Sequence, residues 1–222
     1  SLIGTSQGSS LLESGCEFCG ACIDVCPTGA LVERTYKWEK AAKKIETICP
    51  HCPVGCQMDL EVNGRNRVIR PIPSLDGAAN RGQACFKGKF GIDFVNRRER
   101  LKKPLIKRKG KFEEASWDEA LKLIAQRLGG YKGEEFALVA SPRGTNEDNY
   151  VAQKFARVVM QTNNVDISSN VRPELVAPLK ESLGFSAATN PIWELEESEC
   201  VMVVSSNITE EHNVTAVPIK RA

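Results

Sequence analysis

The chain has 222 residues, of which 41% are hydrophobic and 26% charged, with a formal net charge of +2. Those proportions are those of an ordinary globular protein with room for one large domain or two to three small ones. The near-neutral balance argues against nucleic acid as the main partner, and the sequence lacks the long apolar run that a membrane-spanning helix needs.

Eight of the nine cysteines fall in the first half, and two histidines, His51 and His212, leave little room for a histidine-based metal site. Ser1 to Ser10 is polar and Gly/Ser-rich, without a signal-peptide pattern, and Ser1 to Gly15, without strong periodicity, leads into Cys16, Cys19, Cys22 and Cys26-Pro27. This C-x2-C-x2-C-x3-C-P spacing is the cysteine run of bacterial-type ferredoxins, whose thiolates hold cubane iron–sulfur clusters. An odd cysteine count and C-x2-C spacings weigh against a disulfide framework and for metal ligands in a reducing, cytoplasmic setting. In such runs the fourth cysteine serves a different cluster from the first three. Cys26 therefore either closes the first cluster itself or reaches for a further one completed by a partner run upstream, the second being preferred.

After Pro27-Thr28-Gly29, a turn, Ala30-Leu31-Val32 predicts a short strand. Tyr36 to Glu46, rich in Lys, Glu and Ala, reads as a linking helix or an extended connector. The second cysteine set follows: Cys49, Cys52, Cys56 and, after 28 intervening residues, Cys85. Pro50, Pro53 and Gly55 between these cysteines forbid a helix and force a tight knuckle. Met58 to Val62 alternates as a half-buried strand, Asn63-Gly64 signals a hairpin turn, and Arg67 to Arg70 is the return strand. Phe90 and Phe94, spaced by four, suit one face of a helix over 87–96. His51 is expected to hydrogen-bond or cover a cluster rather than ligate it. Zinc is the competing occupant of both sets, since C-x2-C pairs also build zinc knuckles. Four cysteines within eleven residues ending in Cys-Pro favour iron–sulfur for the first set, and its proximity raises the same reading for the second.

Residues 97–111 carry nine Lys or Arg against one acid, Glu99. Without interleaved aromatics this stripe reads as a solvated linker rather than a nucleic-acid surface, although a zinc-stabilised nucleic-acid module stays as the weakest alternative. Beyond it, Ser116-Trp117-Asp118-Glu119 is a capping box that opens a helix with Ala120, Leu121, Ile124, Ala125 and Leu128 on one side, ended by Gly129-Gly130. Phe136 to Ala140 and Cys200 to Val204 read as two buried strands, with helices at 146–161 and 173–183 between them, a parallel α/β pattern. Two parallel strands do not make a self-sufficient sheet, so a truncated domain is expected.

The stretch Cys85-Phe86-Lys87-Gly88-Lys89-Phe90-Gly91, with the second cysteine set, resembles the N-terminal cluster domain of molybdopterin oxidoreductases, in the versions found in NAD-linked formate dehydrogenase catalytic subunits and the large iron–sulfur subunit of bacterial NADH dehydrogenase. Arg100 to Ile106, Trp117 to Leu121, Thr145 to Tyr150, Lys154 to Arg157, Thr162 to Asp166 and Ser205 to Glu210 extend the resemblance over nearly the whole chain. The resemblance implies an α+β then α/β architecture: residues 1–36 as half of a bacterial-ferredoxin-like domain, 45–107 as a small mostly-β [4Fe-4S] domain, and 112–222 as a partial, pterin-oxidoreductase-like parallel α/β domain. It implies one [4Fe-4S] cluster on Cys49, Cys52, Cys56 and Cys85, a second on the first set, and Lys87 between the second-set cluster and a pterin. Where formate dehydrogenases carry a cysteine or selenocysteine on molybdenum or tungsten followed by histidine, this chain reads Ile167 to Glu174 with neither residue. Cys200 is expected in a strand core. Bound molybdopterin and a catalytic residue are therefore not expected in this chain. The expected function is electron relay between [4Fe-4S] clusters, beside other redox subunits of an NADH/flavin, hydrogenase or formate dehydrogenase type complex. A fragment of a catalytic molybdenum or tungsten formate dehydrogenase is the alternative.

Overall fold

The computed structural model describes residues 4–167 and 173–222. The chain divides into two compact units, one of Ser1–Asn96 with Ala187–Ala222 and the other of Arg97–Ser186.

The first unit begins with the first cysteine run, which holds only one short helix, α1 (Ala21–Asp24), entered through Gly20 at φ 76°. The strand expected over Ala30-Leu31-Val32 is absent; these residues form turns, with Val32 exposed. No described strand lies alongside to take its backbone groups. The helix option for 36–46 also fails: a turn leads to β1 (Lys43–Ile48), which pairs antiparallel with β2 (Gln57–Val62). β3 (Val68–Pro73) completes the sheet in the order β1-β2-β3, and its edge position tolerates Pro71 and Pro73, which have no N–H to offer a ladder. The hairpin between β2 and β3 forms where Asn63-Gly64 predicted it, by a different device. Asn63 Oδ1 accepts from the N–H groups of Arg65 and Arg67, both at 3.0 Å, and the left-handed residue is Asn66 rather than Gly64.

The helix expected over 87–96 is two short pieces, α2 (Phe86–Phe90) and a 3-10 turn at Asp93–Asn96, broken at Gly91. Within Ala187–Ala222 a 3-10 segment, Ile192–Glu197, packs against the C-terminal helix described below, and it buries Trp193. The Trp193 indole N–H donates to the Ala79 carbonyl at 3.0 Å, and Arg81 and Arg221 lie 4.9 and 5.8 Å from its ring centre.

The second unit opens with the hairpin β4 (Leu105–Arg108) and β5 (Lys111–Glu114), so the basic stripe is partly a β-ribbon rather than only a linker. Lys109 and Gly110 both have positive φ, the two-residue turn that matches strand twist. Glu113 and Glu119 pair with Arg108, and Glu114 pairs with Lys103, which gives two of the stripe's basic residues carboxylate partners. α3 (Trp117–Leu128) is capped by Ser116, whose hydroxyl accepts from Glu119 N–H at 3.2 Å. The reciprocal half of the expected capping box is replaced, since the Glu119 carboxylate bonds Arg108. Of the face expected to be buried only Ala120 is, while Leu121 and Ile124 are exposed.

β6 (Leu138–Ala140) lies within the first predicted buried strand. α4 (Asn146–Lys154) has a full capping box, Thr145 with Asp148, and runs on into a π-helical turn at Phe155–Val159. The parallel partner of β6 is β7 (Val165–Ile167) and not Cys200–Val204. α5 (Pro173–Leu183) matches its prediction. Cys200 to Val204 forms no strand; Cys200 is exposed, and so are Met202 and Val204. An apolar run becomes a strand only where a neighbour takes its backbone N–H and C=O groups, and no described strand pairs with this run. Two helices end the chain, α6 (Ile208–Glu211) and α7 (Asn213–Arg221). None of the described helices is long and apolar enough to cross a membrane.

Candidate iron–sulfur centre

The second cysteine set is shaped by its own backbone. Cys49 N–H donates to Cys56 O at 2.9 Å, closing the knuckle, and Gly55 takes the positive φ the reversal requires. Cys85 arrives from a loop whose anchor is Asn80, 0% exposed. Its Oδ1 accepts from Gln57 N–H at 2.9 Å, and its Nδ2 donates to the carbonyls of Gln57 and Gln83 at 3.1 and 2.9 Å. Gln57 follows Cys56 and Gln83 precedes Cys85 by two, so one buried amide ties the distant fourth cysteine to the knuckle. Cys85 itself sits immediately before α2, in extended conformation.

Cys49, Cys52, Cys56 and Cys85 line a single cavity of about 720 Å3, floored by Val54, Ala84, Gly88 and Val214. Gly88 lies against this wall: a Cβ there would make ordinary van der Waals contact with Cys49 Sγ at 3.5 Å and Ala84 Cβ at 3.9 Å. Cys49 and Cys56 are buried. Burial first, and then the neighbouring thiols, pushes the Cys56 thiol up to about 12, and burial raises Cys49 as well. Buried thiols of this kind become thiolates only beside a positive partner. Four such donors around a roomy, partly apolar cavity have the donor chemistry and the space an iron–sulfur cluster needs. Among the described residues no three His, Cys, Asp or Glu converge on a point suited to one metal ion, the geometry tetrahedral zinc requires.

The first set is more open. Cys22 is exposed and Cys16, Cys19 and Cys26 are half-buried. Cys16 lines the second set's cavity, an arrangement that spacing alone did not indicate, whereas Cys19, Cys22 and Cys26 do not. Cys26 Sγ accepts from Leu31 N–H at 3.4 Å and lies 3.6 Å from the Thr28 hydroxyl. The Leu31 N–H, helped by that hydroxyl, draws the Cys26 thiol down to about 7. Lys87 lines the cavity with its ammonium 5.9 Å from the Phe86 ring centre. His51 lies to one side, its Nε2 3.1 Å from Gly91 O and its ring edge-on to Phe94 at 6.1 Å. Sequence reasoning missed Asn80, Gly88 and the stretch from Asn207 to Val214, which supplies one wall. Gly88 and Asn207 to Glu210 left a signal, since both fall in family-like stretches, whereas Asn80 left none.

Comparison with known proteins agrees with this geometry. The 4Fe-4S binding domain model matches residues 12–32, and the molybdopterin oxidoreductase Fe4S4 domain model matches residues 42–97. The molybdopterin oxidoreductase model matches residues 100–222, more than half of the chain. The chain belongs to the molybdopterin oxidoreductase family. Relatives include an F420-dependent formate dehydrogenase 1 subunit alpha of Methanococcus maripaludis, 43% identical over 80% of this chain and 26% of the relative. A subunit of an NADH-quinone oxidoreductase of Rhizobium meliloti is 35% identical over 94% of this chain and 25% of its own length. Formate dehydrogenase H of Escherichia coli is 40% identical over 78% and 26%. The chain thus spans about a quarter of the length of these relatives. As a member of this family it carries [4Fe-4S]-binding domains beside part of a molybdopterin oxidoreductase domain, with mixed α/β content.

Proposed function

We propose that this chain relays single electrons between [4Fe-4S] clusters within a multi-subunit, cytoplasmic NADH-, hydrogen- or formate-linked oxidoreductase. The observation that carries the reading is the cavity shared by Cys49, Cys52, Cys56 and Cys85. These four would hold one cluster. Cys16, Cys19 and Cys22 would hold the other, with Cys26 as its fourth ligand or as ligand to a further cluster. A bound [4Fe-4S] cluster supplies a one-electron carrier whose potential depends on burial, hydrogen bonds to sulfur and nearby charge. The protein's part is to hold the thiolates, to keep water from Cys49 and Cys56, and to offer the Leu31 N–H to Cys26 Sγ. Lys87 on the cavity wall would place a cation between the second-set cluster and a pterin. The three domains would span 1–36, 45–107 and 112–222, the last a partial parallel α/β domain of pterin-oxidoreductase type.

The second reading is a segment of a catalytic molybdenum or tungsten formate dehydrogenase, favoured by the family match over 100–222 and by the two formate dehydrogenase relatives. The run Ile167 to Glu174, where the metal-binding cysteine or selenocysteine is missing, lies largely outside the described residues. Molybdenum and tungsten analysis of the purified assembly separates the two. Iron without either metal favours pure relay, and stoichiometric molybdenum or tungsten favours the catalytic assembly.

A further inference from the structure

Lys89 is buried, with 2% of its surface exposed, in a part of the molecule where neither cysteine set accounts for it. It sits in α2, four residues after Cys85, yet its side chain runs to the other set. The ammonium forms an ion pair with Asp24 in α1, between Cys22 and Cys26, and donates to the Pro71 carbonyl of β3 at 3.1 Å. Its aliphatic stem passes Gly20, between Cys19 and Cys22, so closely that a Cβ on that glycine would stand 2.6 Å from Lys89 Cγ. Gly20 is thus required twice, for its positive φ and for the passage of the lysine.

A buried ammonium is expensive to desolvate, and an apolar side chain of similar length would pack there at less cost. What the ion pair adds is position and charge. It is a strut of fixed length between the loop of the first set and the helix that follows the last cysteine of the second. It also places a positive charge, screened little by water, between two sites that gain negative charge on reduction. Glu33, Asp93 and Arg70 are the other charged groups near this lysine; one Glu33 oxygen is buried without a hydrogen-bond partner. We propose that Lys89 is a positioning residue that fixes the first cysteine loop against the second-set domain and, as a buried cation between them, raises the reduction potentials of both clusters. The proposal rests on the reading that both sets hold [4Fe-4S] clusters.

The test is a redox titration of the full, cluster-loaded chain followed by electron paramagnetic resonance, with iron content, on wild type, Lys89→Met, Lys89→Arg and Asp24→Asn. Lys89→Met should shift both potentials downward, because it removes the cation and leaves the Asp24 carboxylate unneutralised. Asp24→Asn should shift them upward, since the lysine keeps its charge and loses its counter-ion. Lys89→Arg should retain iron and stay near wild type. Should Lys89→Met fail to fold, the upward shift of Asp24→Asn and the near-wild-type values of Lys89→Arg carry the test. A purely structural lysine would leave the potentials of iron-replete variants unchanged or move Lys89→Met and Asp24→Asn in the same direction, and either result overturns the proposal. A wild-type chain without iron overturns the cluster reading instead, which keeps the two failures distinct.

Discussion

Asn80 shows how much a single side chain contributes when it is buried and fully bonded. It joins the backbone beside Cys56 to the backbone beside Cys85 through three hydrogen bonds. Asn80→Ala removes all three bonds, and although the Gln57 carbonyl keeps the Ser74 N–H at 3.0 Å, each bond lost costs about 0.5–1.5 kcal/mol. We therefore expect Asn80→Ala to lower the iron retained by the second set while that of the first persists; equal loss from both sets would place the role of Asn80 elsewhere. Glu33 is a second case. Burial chiefly, and then the Asp93 carboxylate, raises its carboxyl above the ordinary carboxylate value, against the pull of Lys89 and Arg70. A raised carboxyl stabilises the fold while it is protonated, and that contribution is lost as pH climbs through its folded-state value. Glu33→Gln should accordingly be more stable than wild type at about pH 7, with the difference shrinking toward about pH 5. Urea midpoints at the two pH values check this, and a gap that is the same at both would show that ionisation of Glu33 is not the cause.

Among the elements, the helix starts carry local information that survives into the fold. Ser116 and Thr145 each accept a backbone N–H from the residue three positions on, at 3.2 and 3.1 Å. Replacing either by Ala should cost about 1 kcal/mol of stability, read as a lower urea midpoint with unchanged slope. Capping chemistry was legible at Ser116 because it depends on residues three apart. The knuckle at Cys49 to Cys56 and the strand Gln57–Val62 were legible for the same reason: prolines, glycine and alternation act within a few residues. The failures share the opposite cause. Cys200 to Val204 has strand composition, but a strand needs a ladder partner, and the segment that pairs with β6 is Val165–Ile167. The inner face of α3 was misjudged because periodicity defines a face but not what covers it, and Leu121 and Ile124 remain exposed. β1 escaped notice because Lys43 to Glu46 is polar, and its pairing comes from β2.

On the scale of the molecule, the eight cysteines of the two sets were readable as sets from their spacing, but their surroundings were not. The cavity wall from Asn207 to Val214 lies more than a hundred residues from Cys85 and becomes visible only once the chain folds. The burial of Lys89 has no local mark in the sequence and comes from Gly20 and Asp24 beside it. Trp193 holds the returning segment Ala187–Ala222 to the first unit, 4% exposed and bonded to Ala79. Trp193→Ala should cost about 3–5 kcal/mol and make 187–222 the first site of limited proteolysis, whereas Trp193→Phe, which keeps an aromatic ring but loses part of the indole's volume and its hydrogen bond, should cost less. If the two variants are cut alike, the indole is not what fastens the segment.

The central claim is that the cavity formed by Cys49, Cys52, Cys56 and Cys85 binds an iron–sulfur cluster. It is tested most directly by iron, zinc and acid-labile sulfide analysis with electron paramagnetic resonance of the reduced chain, comparing wild type with Cys85→Ser. Iron and sulfide in equal amounts are expected, with a cluster signal in the reduced wild type and loss of about half the iron and one component of that signal in Cys85→Ser. A colourless protein that contains zinc and no iron, or a Cys85→Ser variant with its full iron and signal, would contradict that claim.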